Sequence, residues 1–338
     1  MATVTQSTQE VTPSPSTHRP PGQRALKRMG DRVFSGLSTG SGIIILVILA
    51  MVAGFLLMQA LPALITSPEV LSKQGYGPFW SWILPFAWGT VWCSFWALLM
   101  AVPVAIGIAL FISHYAPRRL ASGLGYVIDL LAAVPSVVFG LWGINTLAPM
   151  LVPIYQWLNT HFGWIPLFAG TVSGTGRTML TAALVLAIMI LPIITSLSRE
   201  VFLRTPGLQE EASLALGATR WEMVRQVVLP FGRSGIVSAS MLGLGRALGE
   251  TMAVAMVLSG GRTVSFQLLT SQNPNTIAAN IALSFPEADS YAVPQLIATG
   301  LVLFVITFLV NMAGRAITGG PKPDRAAREK KRVGKESK

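Results

Sequence analysis

The feature that most constrains this chain is a series of apolar runs long enough to cross a lipid bilayer. The first, at residues 41–65, contains no charged residue and, at about 1.5 Å per residue, can span roughly 30 Å of hydrocarbon. Five further runs of similar character follow, at about 85–113, 121–152, 178–197, 235–260 and 293–314. The sequence therefore predicts an all-α transmembrane fold of six helices.

The charge of the chain supports a membrane rather than a nucleic acid as its main surroundings. Hydrophobic residues make up 52% of the sequence and charged residues only 12%, which is too apolar for an ordinary soluble protein. The net charge is +11, but the basic residues are concentrated in the two tails and one central segment. No nucleic-acid partner is expected.

The positions of the basic residues also predict the orientation of the chain. If both termini are cytoplasmic, 21 of the 25 Lys and Arg residues lie on the cytoplasmic side and 3 on the opposite side. We therefore expect a multi-pass protein of the cell (plasma) membrane. Residues 1–40 are predicted to form a disordered basic cytoplasmic tail, 41–317 the transmembrane domain, and 318–338 a second basic cytoplasmic tail.

The longest polar segment between spans, residues 199–233, predicts two short helices. Thr205 is a candidate cap for the first helix, and Gly217 is placed to end it. Thr219 and Glu222 then form a capping-box pattern that starts the second helix, which Pro230 should stop or bend. Amphipathic helices resting on the lipid surface are an alternative interpretation of this segment. A DNA-binding helix-turn-helix is disfavoured because two membrane spans flank it.

The spacing of residues in this segment resembles the EAA loop of ABC-importer permeases. The pattern comprises Glu211-Ala212-Ser213, Gly217 after three more residues, and Val227-Val228-Leu229-Pro230 after a further nine. The resemblance implies a six-helix permease fold in which this segment is a coupling helix between helices 4 and 5. The residues implied to contact a separate ATP-binding subunit are Glu210, Glu211, Ala212, Ser213, Gly217, Leu229 and Pro230.

The chain has no G-x-x-x-x-G-K-[ST] phosphate-binding loop. We therefore expect no enzymatic activity and no cofactor in this chain, with ATP and Mg bound by the partner ATPase. No metal site is predicted.

The fifth apolar run contains two charged residues, Arg246 and Glu250, four positions apart. On a continuous helix this spacing would place them on one face, where they could form an ion pair. An ionisable residue within a membrane is functional by default, although a buried packing pair is the alternative. Because a guanidinium can bind an oxyanion in a bidentate manner, Arg246 is a candidate phosphate ligand. Glu250 could hold Arg246 or accept a hydrogen bond from protonated phosphate.

Two stretches resemble a narrower family, the C-type permease subunit of the phosphate-specific transport system. They are the segment from Gly245 to Met252 and the segment from Asp129 to Ser136. This resemblance implies import of inorganic phosphate by alternating access, with Arg246 and Glu250 in translocation. Asp129 and Thr251 are possible pathway or gating residues. The implied partners are a second permease subunit, two ATP-binding subunits and an extracytoplasmic phosphate-binding protein.

Three other functions are compatible with parts of the pattern. The first is a permease for another oxyanion, such as sulfate or molybdate, because the coupling segment is common to many importers. The second is an ion-coupled secondary transporter or an anion channel, neither of which needs an ATPase. The third is a membrane scaffold or sensor, in which Arg246 and Glu250 would serve only in packing.

Overall fold

The computed structural model describes residues 29–65, 78–289 and 292–318, and these residues are almost entirely helical. Residues 1–28 and 319–338 of the two predicted tails lie outside the described residues. The helices, numbered in chain order, are α1 (Met29–Ile65), α2 (Phe79–Leu110), α3 (Arg118–Ala132), α4 (Ser136–Trp142), α5 (Ala148–Phe162), α6 (Met179–Leu203), α7 (Gly207–Ala215), α8 (Arg220–Met223), α9 (Leu229–Leu248), α10 (Met252–Val257), α11 (Ile277–Ser284) and α12 (Ala292–Thr318).

Six membrane-spanning segments are confirmed within the described residues by length and composition. They are Val33–Ala63, Phe79–Tyr115, Ser136–Phe162, Met179–Leu203, Arg220–Leu248 and Ala292–Ala316. Three of these comprise more than one helix, because π-helical turns at Phe111–Tyr115, Gly143–Leu147 and Val224–Val228 extend or join their helices.

The first helix starts earlier than predicted. It begins at Met29, so residues 29–40 are helical although the sequence places them in a disordered tail. A boundary between two compact units falls between Ala53 and Gly54, within α1. In the first unit nearly all of the described side chains are exposed, and an apolar helix with exposed side chains is suited to lipid.

The third predicted span, 121–152, is wrong in its bounds. Its first part is the separate helix α3, and the chain then breaks at Ala133–Pro135 before α4 begins at Ser136. Pro135 has the extended conformation φ −60°, ψ 139° at the N-cap of α4. Because proline disfavours a helical conformation in the residue before it, the apolar run divides there. The third span is therefore Ser136–Phe162.

The fifth predicted span, 235–260, ends too late. Helix α9 stops at Leu248 and the short helix α10 follows after a break at Gly249, Glu250 and Thr251. Residues 258–276 then form an irregular segment with one bridge, between Gly261 and Pro274. Hydrophobicity continues across the break, which explains why the sequence predicts a single span.

Helix α6 lies at the centre of the second unit and has a buried core on most of its faces. Its Ile190 and Ile194 are fully buried. Helix α2 packs against α6 through small side chains spaced by four residues, which are Cys93, Ala97, Ala101, Ala105 and Ala109, all 0–1% exposed. Small residues at this spacing let two helix backbones approach closely.

The segment between the fourth and fifth spans contains the two predicted helices, α7 and α8. Thr205 does not cap α7, because Pro206 occupies the N-cap position and no side chain caps there. Gly217 follows the end of α7 and has a φ of +90°, a conformation that favours glycine. The capping box is confirmed, since the Glu222 carboxylate accepts the Thr219 backbone N–H at 2.7 Å.

The prediction that Pro230 stops the second helix of this segment is wrong. A π-helical turn at Val224–Val228 precedes it, and α9 starts at Leu229 with the proline in its first turn. Proline is tolerated in a first turn because its missing N–H has no helical partner there. Helix α8, the π-helical turn and α9 therefore form one continuous helical segment from residue 220 to residue 248, which we call the α8–α9 rod.

Candidate functional site

A large cavity in the described structure lies between α9 and α12, with one side of α6 at its wall. Its volume is about 1070 Å³. The lining residues are Ile193, Ser238, Met241, Leu242, Gly245, Arg246, Phe308, Asn311, Met312, Gly314 and Arg315. None of these described residues is acidic, so two guanidinium groups line the cavity without a carboxylate among its walls.

Arg246 lies in this cavity, in the last turn of α9. Gly243 lies three residues before Arg246, or roughly 4.5 Å along the helix, and its backbone packs against Ile194 of α6. The side chain of Arg246 is exposed. Within residues 78–289, no ion pair joins Arg246 and Glu250. The predicted pairing depended on a continuous helix, and α9 ends at Leu248 between the two residues.

Glu250 has a different environment from Arg246. It is only 8% exposed, and its Oε1 accepts a hydrogen bond from the backbone N–H of Ala253 at 3.2 Å. The carboxylate therefore caps the amino end of α10, where the helix dipole favours negative charge. Glu250 does not line the cavity that contains Arg246.

Arg177 holds the opposite end of α10. Its Nη2 donates hydrogen bonds to the carbonyl oxygens of Met256 and Leu258, both at 3.2 Å. A carboxylate at the amino end and a guanidinium at the carboxyl end both match the dipole of this short helix. Helix α10 also packs tightly on α4, because a Cβ at Gly140 would lie 3.0 Å from the Ala253 Cα atom. Two charged residues therefore fix the position of α10.

The two predicted gating candidates lie outside the cavity. Thr251 is half-buried and its hydroxyl donates to the Gly249 carbonyl at 3.2 Å, within the break before α10. Asp129 is on α3 rather than in the third span. It lines a second cavity, of about 560 Å³, together with Arg118 and Arg199. This places Asp129 beside the carboxyl end of α6, away from Arg246.

The predicted coupling residues are mostly at the surface. Glu211, Ala212, Gly217 and Pro230 are exposed, whereas Ser213 and Leu229 are half-buried. Glu210 instead faces its own chain, with its Oε1 3.3 Å from the Nε2 atom of His114 at the end of the second span.

The α7–α8 segment also exposes large apolar side chains. Leu208 is 82% exposed and Leu216 is 90% exposed, while Leu214 and Trp221 are exposed to a lesser degree. No residue of α7 is buried. An apolar surface of this kind with charged residues around it is typical of a protein–protein contact.

The sequence did not identify three polar residues of the large cavity: Ser238, Asn311 and Arg315. The predicted last span ends at residue 314, which places Arg315 just beyond it on the cytoplasmic side, whereas α12 continues to Thr318. The available signal was the four-residue spacing of Asn311 and Arg315, which places both on one helical face. The Ser238 hydroxyl donates to the Ser234 carbonyl at 2.9 Å, which leaves its oxygen as an acceptor.

Comparison with known proteins identifies relatives over most of the chain. Residues 101–319 match the family described as binding-protein-dependent transport system inner membrane component. A protein of Mycobacterium tuberculosis described as phosphate transport system permease protein PstC 2 is 48% identical, over 87% of this chain and 93% of its own length. A phosphate transport system permease protein PstC of Mesorhizobium japonicum is 40% identical, over 84% of this chain and 89% of its own length.

Solved structures share the fold at much lower identity. A bacterial ABC transporter involved in the import of the acidic polysaccharide alginate aligns with a TM-score of 0.57 at 16% identity, covering 86% of this chain and 97% of the matched chain. The MetNI methionine ABC transporter, in an inward-facing conformation, aligns with a TM-score of 0.51 at 17% identity, covering 70% and 94%. At these identities the likeness extends to the fold alone.

Proposed function

Because this chain belongs to the family of binding-protein-dependent transport system inner membrane components, we propose that it is the permease subunit of an ATP-driven importer for inorganic phosphate. The observation that carries the proposal is the 48% identity over 87% of the chain to a phosphate transport system permease. The cavity supports it independently. Its two arginines and its lack of lining carboxylates suit an anion rather than a cation.

Arg246 is the residue that we assign to direct contact with the anion. Its side chain lines the cavity in the last turn of α9, and a guanidinium can donate two parallel hydrogen bonds to phosphate oxygens. An unneutralised arginine at the centre of a membrane is unfavourable by about 2.5–3.5 kcal/mol on insertion scales. A phosphate anion offsets that cost while it occupies the site.

Glu250 acts through α10 rather than as a direct ligand. Its carboxylate holds the amino end of that helix, and the helix packs against both α4 and α6. We assign Glu250 a positioning role: by holding α10, it fixes the end of α9, and the end of α9 carries Arg246. The separation of the two side chains keeps the negative charge out of the anion cavity.

The α7–α8 segment is the coupling element for a separate ATP-binding subunit. The exposed Leu208 and Leu216 supply apolar contact area, and Glu211 supplies a charge at the rim. In the importer that we propose, two such subunits, a second permease and an external phosphate-binding protein complete the assembly. Nucleotide-driven motion of the coupling segment would pass along the α8–α9 rod to Arg246 and drive alternating access.

The orientation that we propose places both termini in the cytoplasm. The excess of Lys and Arg on that side supports it. The α7–α8 segment then faces the cytoplasm, where ATP-binding subunits are available. Antibody or protease access to tags at each terminus, in sealed right-side-out vesicles, would test the orientation directly.

The experiment that tests the function is uptake of labelled phosphate by the full complex in proteoliposomes. We expect ATP-dependent uptake that sulfate does not inhibit. In the Arg246→Gln variant, uptake should fall by at least about tenfold, since one charge-assisted bidentate contact is lost. Arg119→Gln, an exposed change of the same charge on α3, is the matched control and should leave uptake unchanged.

Assembly and basal ATP hydrolysis must be measured with the same samples. Normal uptake by Arg246→Gln would remove Arg246 from the anion pathway. Uptake of sulfate in place of phosphate by the intact complex would replace the proposed substrate with another oxyanion. Uptake that persists without any ATP-binding subunit would favour an ion-coupled transporter or a channel.

A further inference from the structure

The large cavity contains a second arginine, Arg315, on the wall opposite Arg246. Arg246 lies on α9 and Arg315 on α12, and Asn311 lies one helical turn before Arg315 on the same lining face. We propose that Arg315 and Asn311 form the second half of the oxyanion site, so that the anion is bound between α9 and α12. This inference rests on the proposed phosphate transport.

Close packing of the two helices supports a site that both share. A Cβ at Gly314 would collide with the side chain of Met241, so α12 and α9 approach closely at that level. Arg315 is the next residue on α12, and Arg246 follows Met241 by five residues, or about 7.5 Å along α9. Because Arg315 lies one residue from Gly314 in the opposite direction, the two Cα positions are offset by about 9 Å along the helix axes.

The directions of the helices bring the two guanidinium groups toward each other. Consecutive membrane spans run in opposite directions, and side chains on a helix lean toward its own amino end. The side chain of Arg246 consequently leans toward the level of Met241. That of Arg315 leans the other way, toward the level of Asn311. Both lean into the same cavity.

The chemistry of this wall fits a phosphate anion. Arg246 and Arg315 both line the cavity, and a guanidinium group can donate paired hydrogen bonds to the oxygens of a phosphate anion. The Asn311 amide can donate to an anionic oxygen or accept from a protonated one. At about 1070 Å³, the cavity is as large as typical ligand clefts, which reach about 1,000 Å³. The ion therefore keeps part of its hydration, and a site in a transport pathway must also release its ion.

The test measures anion binding to the permease without relying on transport. Cys93 is the only cysteine of the chain and is buried. In a Cys93→Ala background, the cavity residue Met312 is changed to Cys, and labelling of the assembled complex by a neutral thiol reagent is followed on this chain. Inorganic phosphate should slow the labelling, and the concentration for half-protection reports binding in the cavity.

Arg315→Gln should raise the half-protecting phosphate concentration by about tenfold or more, as should Arg246→Gln. Arg315→Lys should be intermediate, because an ammonium keeps the charge but not the bidentate geometry. Arg119→Gln, on α3, is the matched control with unchanged protection.

The two hypotheses fail in different ways. Unchanged protection in Arg315→Gln, together with loss in Arg246→Gln, would overturn the role of Arg315 and leave the proposed function standing. If phosphate neither protects the reporter nor is taken up by the complex without these substitutions, the proposed function itself fails. Equal protection by phosphate and by a neutral solute would also overturn the site.

Discussion

The clearest test of the site geometry is a pair of substitutions at Glu250. The structure makes this carboxylate a cap for α10, with its oxygen 3.2 Å from the Ala253 backbone nitrogen. Glu250→Gln keeps an oxygen that can accept this hydrogen bond but removes the charge. Glu250→Ala removes both. If capping is the main role of Glu250, the Gln variant should retain most of the wild-type behaviour.

The magnitudes differ enough to separate the two variants. Loss of the charge at a helix amino end costs about 0.3–1 kcal/mol. Loss of the acceptor leaves the N–H of Ala253, a residue that is 1% exposed, without a partner, which costs about 1–3 kcal/mol. A change of one to two kcal/mol alters an opening equilibrium by about 5–30-fold.

Amide hydrogen exchange of peptides covering residues 250–258, in the assembled complex, measures this opening. Exchange should accelerate by several-fold or more in Glu250→Ala and only slightly in Glu250→Gln. Phosphate uptake should follow the same order. Abolished uptake in Glu250→Gln, with unchanged exchange in this segment, would refute the capping argument. It would show that the negative charge itself is needed in transport.

Three further substitutions test the packing, the coupling surface and the capping box. Gly89→Ala should destabilise the permease by about 1–3 kcal/mol, because the new methyl group would collide with the Asn275 carbonyl oxygen; thermal unfolding compared with Gly107→Ala, whose Cβ would meet nothing within 4 Å, measures this. Leu216→Glu, at a side chain that is 90% exposed, should prevent co-purification of an ATP-binding subunit while the thermal stability of the permease is unchanged; normal co-purification would exclude this surface from docking. Thr219→Ala should destabilise the start of α8 by about 1 kcal/mol, seen as faster proteolysis between the fourth and fifth spans, and equal cleavage rates would contradict the role of the cap.

The number of membrane spans and the Thr219–Glu222 capping box were predicted correctly from the sequence. Six spans follow from runs of apolar residues, since only a helix satisfies the backbone within lipid. The Thr219–Glu222 capping box could be predicted because its two residues are neighbours in the chain and need no tertiary partner.

The breaks within apolar segments could not be predicted from hydrophobicity. Ala133–Pro135 and Gly249–Thr251 interrupt helices in stretches that stay apolar, because the flanking short helices α4 and α10 are themselves apolar. Pro135 divides the first of these stretches, whereas a tertiary contact holds the helix that follows the second break. Arg177, separated from Met256 by 79 positions in the sequence, donates to its carbonyl oxygen, and no local pattern indicates such a contact.

The same limitation explains the incorrect pairing of Arg246 with Glu250. A spacing of four implies proximity only on a continuous helix, and the chain leaves the helix at Gly249. The residues that line the cavity could not be predicted for a similar reason, because Asn311 and Arg315 lie 65 or more positions from Arg246 in the sequence. Only the packing of α12 on α9 brings these residues to one cavity.

The break between α9 and α10 determines which charged side chains line the proposed anion pathway. On an uninterrupted helix, Glu250 would lie beside Arg246 and compete with phosphate for its guanidinium group. In the structure the carboxylate is buried at the amino end of α10 and Arg177 is bound at the carboxyl end. These two opposite charges thus stabilise a helix outside the cavity, and the cavity keeps Arg246 and Arg315 without a lining carboxylate. An anion that enters this cavity would therefore meet Arg246 without Glu250 beside it.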